Sequence, residues 1–325
     1  MFTHKDIEMR TIFVVNCIEH SRSFRVCNGE LMLEEFEGGD KKTLTKFPFQ
    51  KLLALFVIGH ATITTPLIDK CRLYGVALVV MKPNLRPVFF WHNPAEANFL
   101  LRKRQYGYKA DDLTVAKALV YNKVLNQKAA LQKTRKKDTE TIEAISLCES
   151  ALDSLYDISD YNKIMGLEGI VAKAFFAAYF QNYDWKGRHP RVKSDATNVM
   201  LDIGYTMLFN FVESFVRMFG FDIYVGVYHR LWYKRKSLVC DLVEPFRCII
   251  DHAVLLALNR KQFSDKDFVL QKQEFRLKHE KCADYYKVFC DALISRKSDI
   301  FKFVQQYYRC FMGQKASAEY PVFEF

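Results

Sequence analysis

The amino-acid sequence predicts an α+β protein of two parts: a small N-terminal β-sheet domain over residues 1–93 and a larger all-α domain over 94–325. Three observations predict it. Residues 7–92 carry short β-branched and apolar runs broken by turn signals. Asn93-Pro94 then punctuates the chain, and beyond it glycine and β-branched residues thin out while helical spacing takes over. A chain of 325 residues is long enough for one large or two ordinary domains, each with its own core.

Taken in order, Ile12–Ile18 reads as a strand. Ser23–Cys27 meets Leu31–Phe36 across Asn28-Gly29, a dipeptide that favours the tight turn of a hairpin. Further strands are expected at Leu53–Ile58, Val76–Met81 and Pro87–Trp91, closing a roll- or sandwich-like β domain. One helix interrupts them, with Thr65 as its cap, Pro66 in its first turn and Gly75 as its stop. No cluster of catalytic residue types falls here, so this part reads as structural. Helices follow over 95–106, 111–135 and 138–156, the second ending in the basic run Thr134-Arg135-Lys136-Lys137, which reads as a solvated helix end. Asp157–Asp160 turns the chain into a helix that carries Glu168. From Asp195 a long helix repeats Leu201, Tyr205, Leu208, Val212, Phe215 and Phe219 at steps of three and four until Gly220 stops it. Pro245 pre-sets a last well-marked helix to about Arg260, with Glu244 at its N-terminal edge and Arg247 in its first turn. The aromatics Phe301, Phe303, Tyr307, Tyr308 and Phe311 read as core packing rather than base stacking.

Half of the residues are hydrophobic and 15% aromatic, which calls for a packed globular protein and excludes a disordered one. The 48 Lys and Arg against 37 Asp and Glu leave a net charge of +11, which favours a polyanion as partner, nucleic acid first and an anionic membrane surface second. No uninterrupted apolar run approaches the roughly 18 residues that span a bilayer, and Met1–Arg10 lacks the apolar core of a signal peptide. Nine cysteines, an odd number with no Cys-x-x-Cys pair, read as free thiols in a reducing cytoplasm and argue against zinc. There is no internal repeat, no Gly-rich phosphate loop and no Gly-x-Ser-x-Gly elbow.

The side chains that look like a site lie between Met165 and Asp251. On a helical wheel, Glu168 falls among Ile164, Met165, Ala172, Phe175, Phe176 and Tyr179, with Lys163 and Lys173 on the far side. A carboxylate on an apolar face costs several kcal/mol (order of magnitude) unless a cation, a metal or a proton compensates it. His229 and the pair Asp241 and Glu244 are the downstream candidates to share a site with it. Two carboxylates and one imidazole make an oxygen-rich set that suits magnesium or manganese better than zinc. Each residue also has an ordinary structural reading: Glu168 paired with a buried Arg, His229 hydrogen-bonded in the core, Glu244 starting a helix. Two basic clusters flank the candidates, Lys186, Arg188, Arg191 and Lys193 after the Glu168 helix, and Lys234, Arg235 and Lys236 after His229. Both suit phosphate gripping.

The order Gly-x-Glu-Gly at 166–169, Arg188 with Pro190 and Arg191, and Asp195-x-x-Asn198 before a helix reading Gly204-Tyr205-Thr206 continues with Gly226-x-x-His229 and Asp241-Leu-x-Glu-Pro-Phe-Arg247. This pattern closely resembles the CRISPR-associated protein one family, the integrase and metal-dependent DNA endonuclease of spacer acquisition. Gly59–Pro66 and Arg102–Tyr106 also look like family segments, so the resemblance covers nearly the whole chain. It implies that Glu168, His229 and Glu244 are the metal ligands and that Asp241 is the acidic residue supporting them in catalysis. Arg247 then joins the basic residues as a candidate DNA contact. The likeness further implies a homodimer, DNA-backbone contact by the β domain, and two dimers flanking a central dimer of CRISPR-associated protein two. That assembly inserts short duplexes beside the leader end of a repeat array by 3′-hydroxyl attack. The chain departs from the family at Arg230-Leu231-Trp232-Tyr233, where a shorter, simpler loop is expected. Four other readings share parts of this pattern: an integrase of a related mobile element, a non-integrating metal-dependent nuclease, a DNA-binding subunit without catalysis, and a membrane-surface protein.

Overall fold

Alternating apolar residues in the N-terminal part line the two faces of one sheet, as a period of two requires. The structure, a computed structural model, describes residues 3–37, 40–92, 98–109, 111–135, 137–183 and 185–325. After a short helix α1 (His4–Met9) come β1 (Thr11–Cys27), β2 (Glu30–Glu37), β3 (Asp40–Pro48), β4 (Leu52–Thr62), α2 (Thr65–Tyr74), β5 (Ala77–Met81) and β6 (Pro87–Trp91). The strands pair in the order β3-β2-β1-β4-β5-β6. The pairs β1–β4 and β4–β5 are parallel, and the outer pairs are antiparallel. The roll- or sandwich-like domain therefore takes the form of one continuous mixed sheet.

Asn28 and Gly29 turn the β1–β2 hairpin with φ of +51° and +79°, the left-handed values that such a turn needs. Gly75 ends α2 at φ +67°, as expected. Two details differ from expectation. The segments 12–18 and 23–27 are parts of one strand, with a register shift against β4 between Cys17 and Arg22. Strand β3 was not anticipated, because Asp-Lys-Lys-Thr-Leu-Thr-Lys is an exposed edge with no apolar face to betray it.

The helices are α3 (Phe99–Tyr106), α4 (Thr114–Gln132), α5 (Thr139–Ser154), α6 (Tyr161–Tyr179), α7 (Ala196–Met218), α8 (Ser237–Val243), α9 (Arg247–Asn259), α10 (Cys282–Ser295) and α11 (Lys297–Gly313). A short hairpin of β7 (Phe268–Gln271) and β8 (Glu274–Leu277) interrupts this otherwise helical part. The boundary at Asn93-Pro94, and Lys136 of the basic run, lie outside the described residues. Helix α4 ends at Gln132, before that run, so Thr134 and Arg135 follow the helix rather than finish it.

Along β4, Leu55 and Val57 pack with Leu67 and Cys71 of α2, while Phe56 and Ile58 share a core with Val115, Phe211 and Phe289 from the helices. One hydrophobic cluster thus runs from the sheet into the helical part. Helix α7 threads it, capped at Asp195, whose carboxylate accepts from the Asn198 N–H at 2.7 Å, a contact worth about 1 kcal/mol. By length and composition α7 is apolar enough to cross a membrane, and most of it is buried inside the protein. The helix nevertheless holds no uninterrupted apolar run of that length. Asn198, Asp202, Asn210 and Glu213 break the run residue by residue without changing its apolar average.

Candidate active site

Helix α6 starts at Asp160, whose carboxylate accepts from the Lys163 N–H at 2.9 Å. Its buried face is Ile164, Val171, Phe175, Phe176, Ala178 and Tyr179. Glu168 sits at the edge of that face and Met165 is exposed, so the carboxylate borders the apolar stripe instead of lying in its middle. The compensation it demands is present. Glu168 forms an ion pair with Lys123 of α4 and accepts a hydrogen bond from the Tyr228 hydroxyl. The partner is a lysine, where the alternative structural reading of Glu168 names an arginine.

Lys123 is the centre of the arrangement. It is buried, and its ammonium also lies 2.6 Å from a Glu244 oxygen, so two carboxylates from distant parts of the chain converge on one cation. Burial pulls the Lys123 pKa down, but Glu244 and Glu168 outweigh it and hold the ammonium above its ordinary value. Burial pushes the Glu244 carboxyl up, yet Arg247 and Lys123, with His229 adding to them, keep it well below the usual carboxylate range. Arg247 binds Glu244 with two parallel bonds of 2.8 and 2.9 Å. Glu244 does not stand at a free helix start. Helix α8 runs through the turn Glu244–Phe246 directly into α9, and the Pro245 carbonyl accepts from Asn126 of α4 at 3.0 Å. Proline is tolerated there because the amide it lacks falls at the junction of two helical segments.

His229 is held from behind. Asp241 is fully buried and accepts the backbone N–H groups of Val227, Tyr228 and His229 at 2.7, 3.1 and 2.7 Å. Its oxygen also lies 2.7 Å from Nδ1 of His229. A carboxylate oxygen only accepts, so this contact puts the ring proton on Nδ1 and leaves the Nε2 lone pair available. Gly226 makes the close approach possible, since a Cβ there would meet the Asp241 carboxylate at 2.7 Å. Tyr228 is buried, and burial with Glu168 beside it raises its hydroxyl far above the ordinary value, so it stays a donor to that carboxylate. Among the described residues, no group of three or more His, Cys, Asp and Glu is gathered closely enough to hold a metal ion as it stands. Lys123 stands between Glu168 and Glu244.

The basic residues divide into two kinds. Arg188, Lys236 and Arg247 are committed to internal partners. Arg188 pairs with Asp202 and donates to Asn198, and both it and Arg247 stack on the ring of Tyr205, at 5.4 and 4.6 Å. Lys236 pairs at 2.7 Å with the buried Glu213. Lys193 pairs with Glu274 at 3.1 Å. Arg191, Lys234 and Arg235 are exposed, the first two at positive φ in tight loops. Tyr205 therefore ties the loop after α6 to Arg247 and so to Glu244. Sequence reasoning missed Lys123, Asn126 and Tyr228. For Lys123 the signal was available: with Asn126 and Gln127 it is a polar residue on the buried face formed by Leu119, Val120 and Val124, the same pattern that singled out Glu168.

Residues 17–290 match the model of the family described as CRISPR associated protein Cas1. A CRISPR-associated endonuclease Cas1 of Thermodesulfovibrio yellowstonii is 26% identical over 237 residues, which cover 70% of this chain and 74% of that protein. In fold, the chain resembles a casposase bound to integration product, with TM-score 0.78 and 20% identity, covering 97% of this chain and 94% of the other. It also resembles a chain of a Cas6-RT-Cas1–Cas2 complex, with TM-score 0.77 and 18% identity over 97% of this chain and 36% of the other.

Proposed function

Because the chain belongs to the CRISPR associated protein Cas1 family, we propose that it is a divalent-metal-dependent DNA endonuclease and strand transferase that inserts short duplexes into a CRISPR array. The observation that carries this reading is the convergence of Glu168 and Glu244 on a single cation, beside an imidazole whose Nδ1 is engaged by Asp241. That donor chemistry fits magnesium or manganese. Glu168, Glu244 and Nε2 of His229 would hold the ion, and Asp241 would orient the imidazole. A bound divalent ion supplies charge neutralisation at the phosphate oxygens, worth several kcal/mol (order of magnitude). Tyr228 and Arg247 fix the two carboxylates, while Arg191, Lys234 and Arg235 grip the backbone of the DNA. The attacking group is a DNA 3′-hydroxyl for joining and water for cleavage. Likeness to a chain of a Cas6-RT-Cas1–Cas2 complex supports partnership with CRISPR-associated protein two; a homodimer acting with a dimer of that partner on double-stranded DNA is part of the same proposal, and the free thiols support a cytoplasmic setting. The casposase likeness favours one alternative, the integrase of a mobile element, which shares this site and differs in the target it joins.

The test supplies a supercoiled plasmid carrying a repeat array, a short duplex, manganese and the partner dimer. The wild-type chain yields relaxed and covalently joined products. Glu168→Ala, His229→Ala and Glu244→Ala each lose both while still folding and binding DNA. Near wild-type strand transfer by His229→Ala overturns the ligand assignment.

A further inference from the structure

Residues Tyr320–Phe325 lie across α4 and reach the site without supplying a ligand to it. Tyr320, Pro321 and Phe323 are buried while Val322 and Glu324 face solvent, the alternation of an extended segment. Such a segment needs partners for its backbone, and two buried asparagines of α4 provide them in place of a neighbouring strand. Asn122 accepts from the Phe323 N–H at 2.9 Å and donates back to the Phe323 carbonyl at 2.8 Å. Asn126, one turn on, accepts from the Phe325 N–H at 3.0 Å, but its own amide donates elsewhere, to the Pro245 carbonyl at 3.0 Å. The Phe323 ring meets that of Phe246 edge-on at 5.0 Å. Lys133 donates to an oxygen of Phe325 at 2.7 Å, and Arg296 donates to the Glu324 carbonyl. Each residue of the turn Glu244–Phe246 is thus gripped: Glu244 by Lys123, Pro245 by Asn126 and Phe246 by Phe323. Lys123 itself lies between the two asparagines on the same helix.

We infer that Asn126 is a positioning residue for Glu244 and that the segment Tyr320–Phe325 is the strap that holds it to that task, so the site's affinity for a divalent ion depends on a stretch of chain that carries no ligand. This rests on the metal-dependent function proposed above. An amide engaged at both its oxygen and its nitrogen has one orientation, and without the Phe325 N–H the side chain of Asn126 is free to turn away from Pro245. Loss of a group that orients a metal ligand typically weakens metal binding about 10- to 100-fold. Isothermal titration with manganese, well below the melting temperature, compares three variants with the wild type. Asn126→Leu removes both bonds at similar volume. Phe323→Ala with Phe325→Ala unseats the strap and leaves Asn126 in place. Phe24→Leu, a buried ring of the cluster on the other face of the sheet, controls for lost stability alone. The first two bind manganese about 10- to 100-fold more weakly, and the control binds it as the wild type does. An unchanged dissociation constant in either of the first two, or an equal loss in the control, overturns the inference. Amide hydrogen exchange of the metal-free protein gives a second reading: residues 240–250 exchange faster in the asparagine and strap variants and not in the control. Where Asn126→Leu fails to fold, the strap variant decides on both readings. A wild type that binds no manganese sinks the metal reading of the site, and exchange then decides the strap by itself: faster exchange at 240–250 upholds it, and unchanged exchange overturns it.

Discussion

Replacing Lys123 by Met removes the cation on which Glu168 and Glu244 converge, while a side chain of similar length keeps the packing of α4. Removing one partner from a buried ion pair costs about 3–5 kcal/mol. Here Glu168 keeps the Tyr228 hydroxyl and Glu244 keeps Arg247, which places the loss near the lower end, about 3 kcal/mol. In a chain of this length that lowers the melting temperature by roughly 5 °C without metal. A divalent ion that binds the two carboxylates takes over the missing charge. At 100-fold its dissociation constant it stabilises the chain by about 2.7 kcal/mol. In the wild type the ion first has to displace Lys123 from the same oxygens, so its stabilisation is smaller. Calorimetry or dye-monitored melting at neutral pH, with and without manganese, reads both effects. The variant melts lower without the ion and gains more from it. If the two proteins melt together without metal, or gain equally from manganese, Lys123 is not the internal counter-ion described above.

Two further outcomes follow from charges placed by the fold. Neutralising Arg191, Lys234 and Arg235 together reduces the slope of log affinity against log salt for duplex DNA by about 0.9 for each phosphate that is no longer neutralised; an unchanged slope moves the DNA to another surface. Burial pushes the Asp251 carboxyl up to about 7, against the opposing pull of the Tyr205 hydroxyl, Arg247 and Arg188. With its folded pKa above the unfolded value of about 4, the folded chain binds the extra proton between the two. Its contribution to stability is present at the acid end and is lost as pH rises through about 7, by up to ~1.4 kcal/mol per pH unit. Denaturant melts at several pH values should show a steeper decline for the wild type than for Asp251→Asn, and equal slopes would contradict the burial argument.

Much of the fold was legible because local signals agreed with it. Asn28-Gly29 turned the hairpin it announced, Gly75 stopped α2, and Asp195 capped α7. Strand β3 was invisible because an edge strand rich in lysine carries its information in backbone pairing, which leaves no apolar period. The merger of α8 and α9 was misread because Pro245 signals a start equally well at a free terminus and at a junction between helices. In the site, Glu168 was found because one carboxylate beside an apolar stripe stands out, and the need for a cation, a metal or a proton to compensate it followed from its apolar surroundings. The identity of that cation did not follow, since Lys123 lies 45 positions away and only the packing of α4 against α6 brings it in. The basic residues show the converse limit. Sequence marks charge, but only packing shows that Lys236 answers the buried Glu213 and Arg188 answers Asp202, while Arg191, Lys234 and Arg235 face outward.

The measurement that bears most directly on the central claim compares duplexes with free and with dideoxy-blocked 3′ ends. Each is given to the wild-type chain with manganese, the partner dimer and a supercoiled plasmid carrying a repeat array. A strand transferase uses the 3′-hydroxyl as a reactant, so joined product forms only from the free ends, while both duplexes bind alike because their phosphates are the same. Equal relaxation of the plasmid with both duplexes, and joined product with neither, would contradict strand transfer and leave a metal-dependent nuclease in its place.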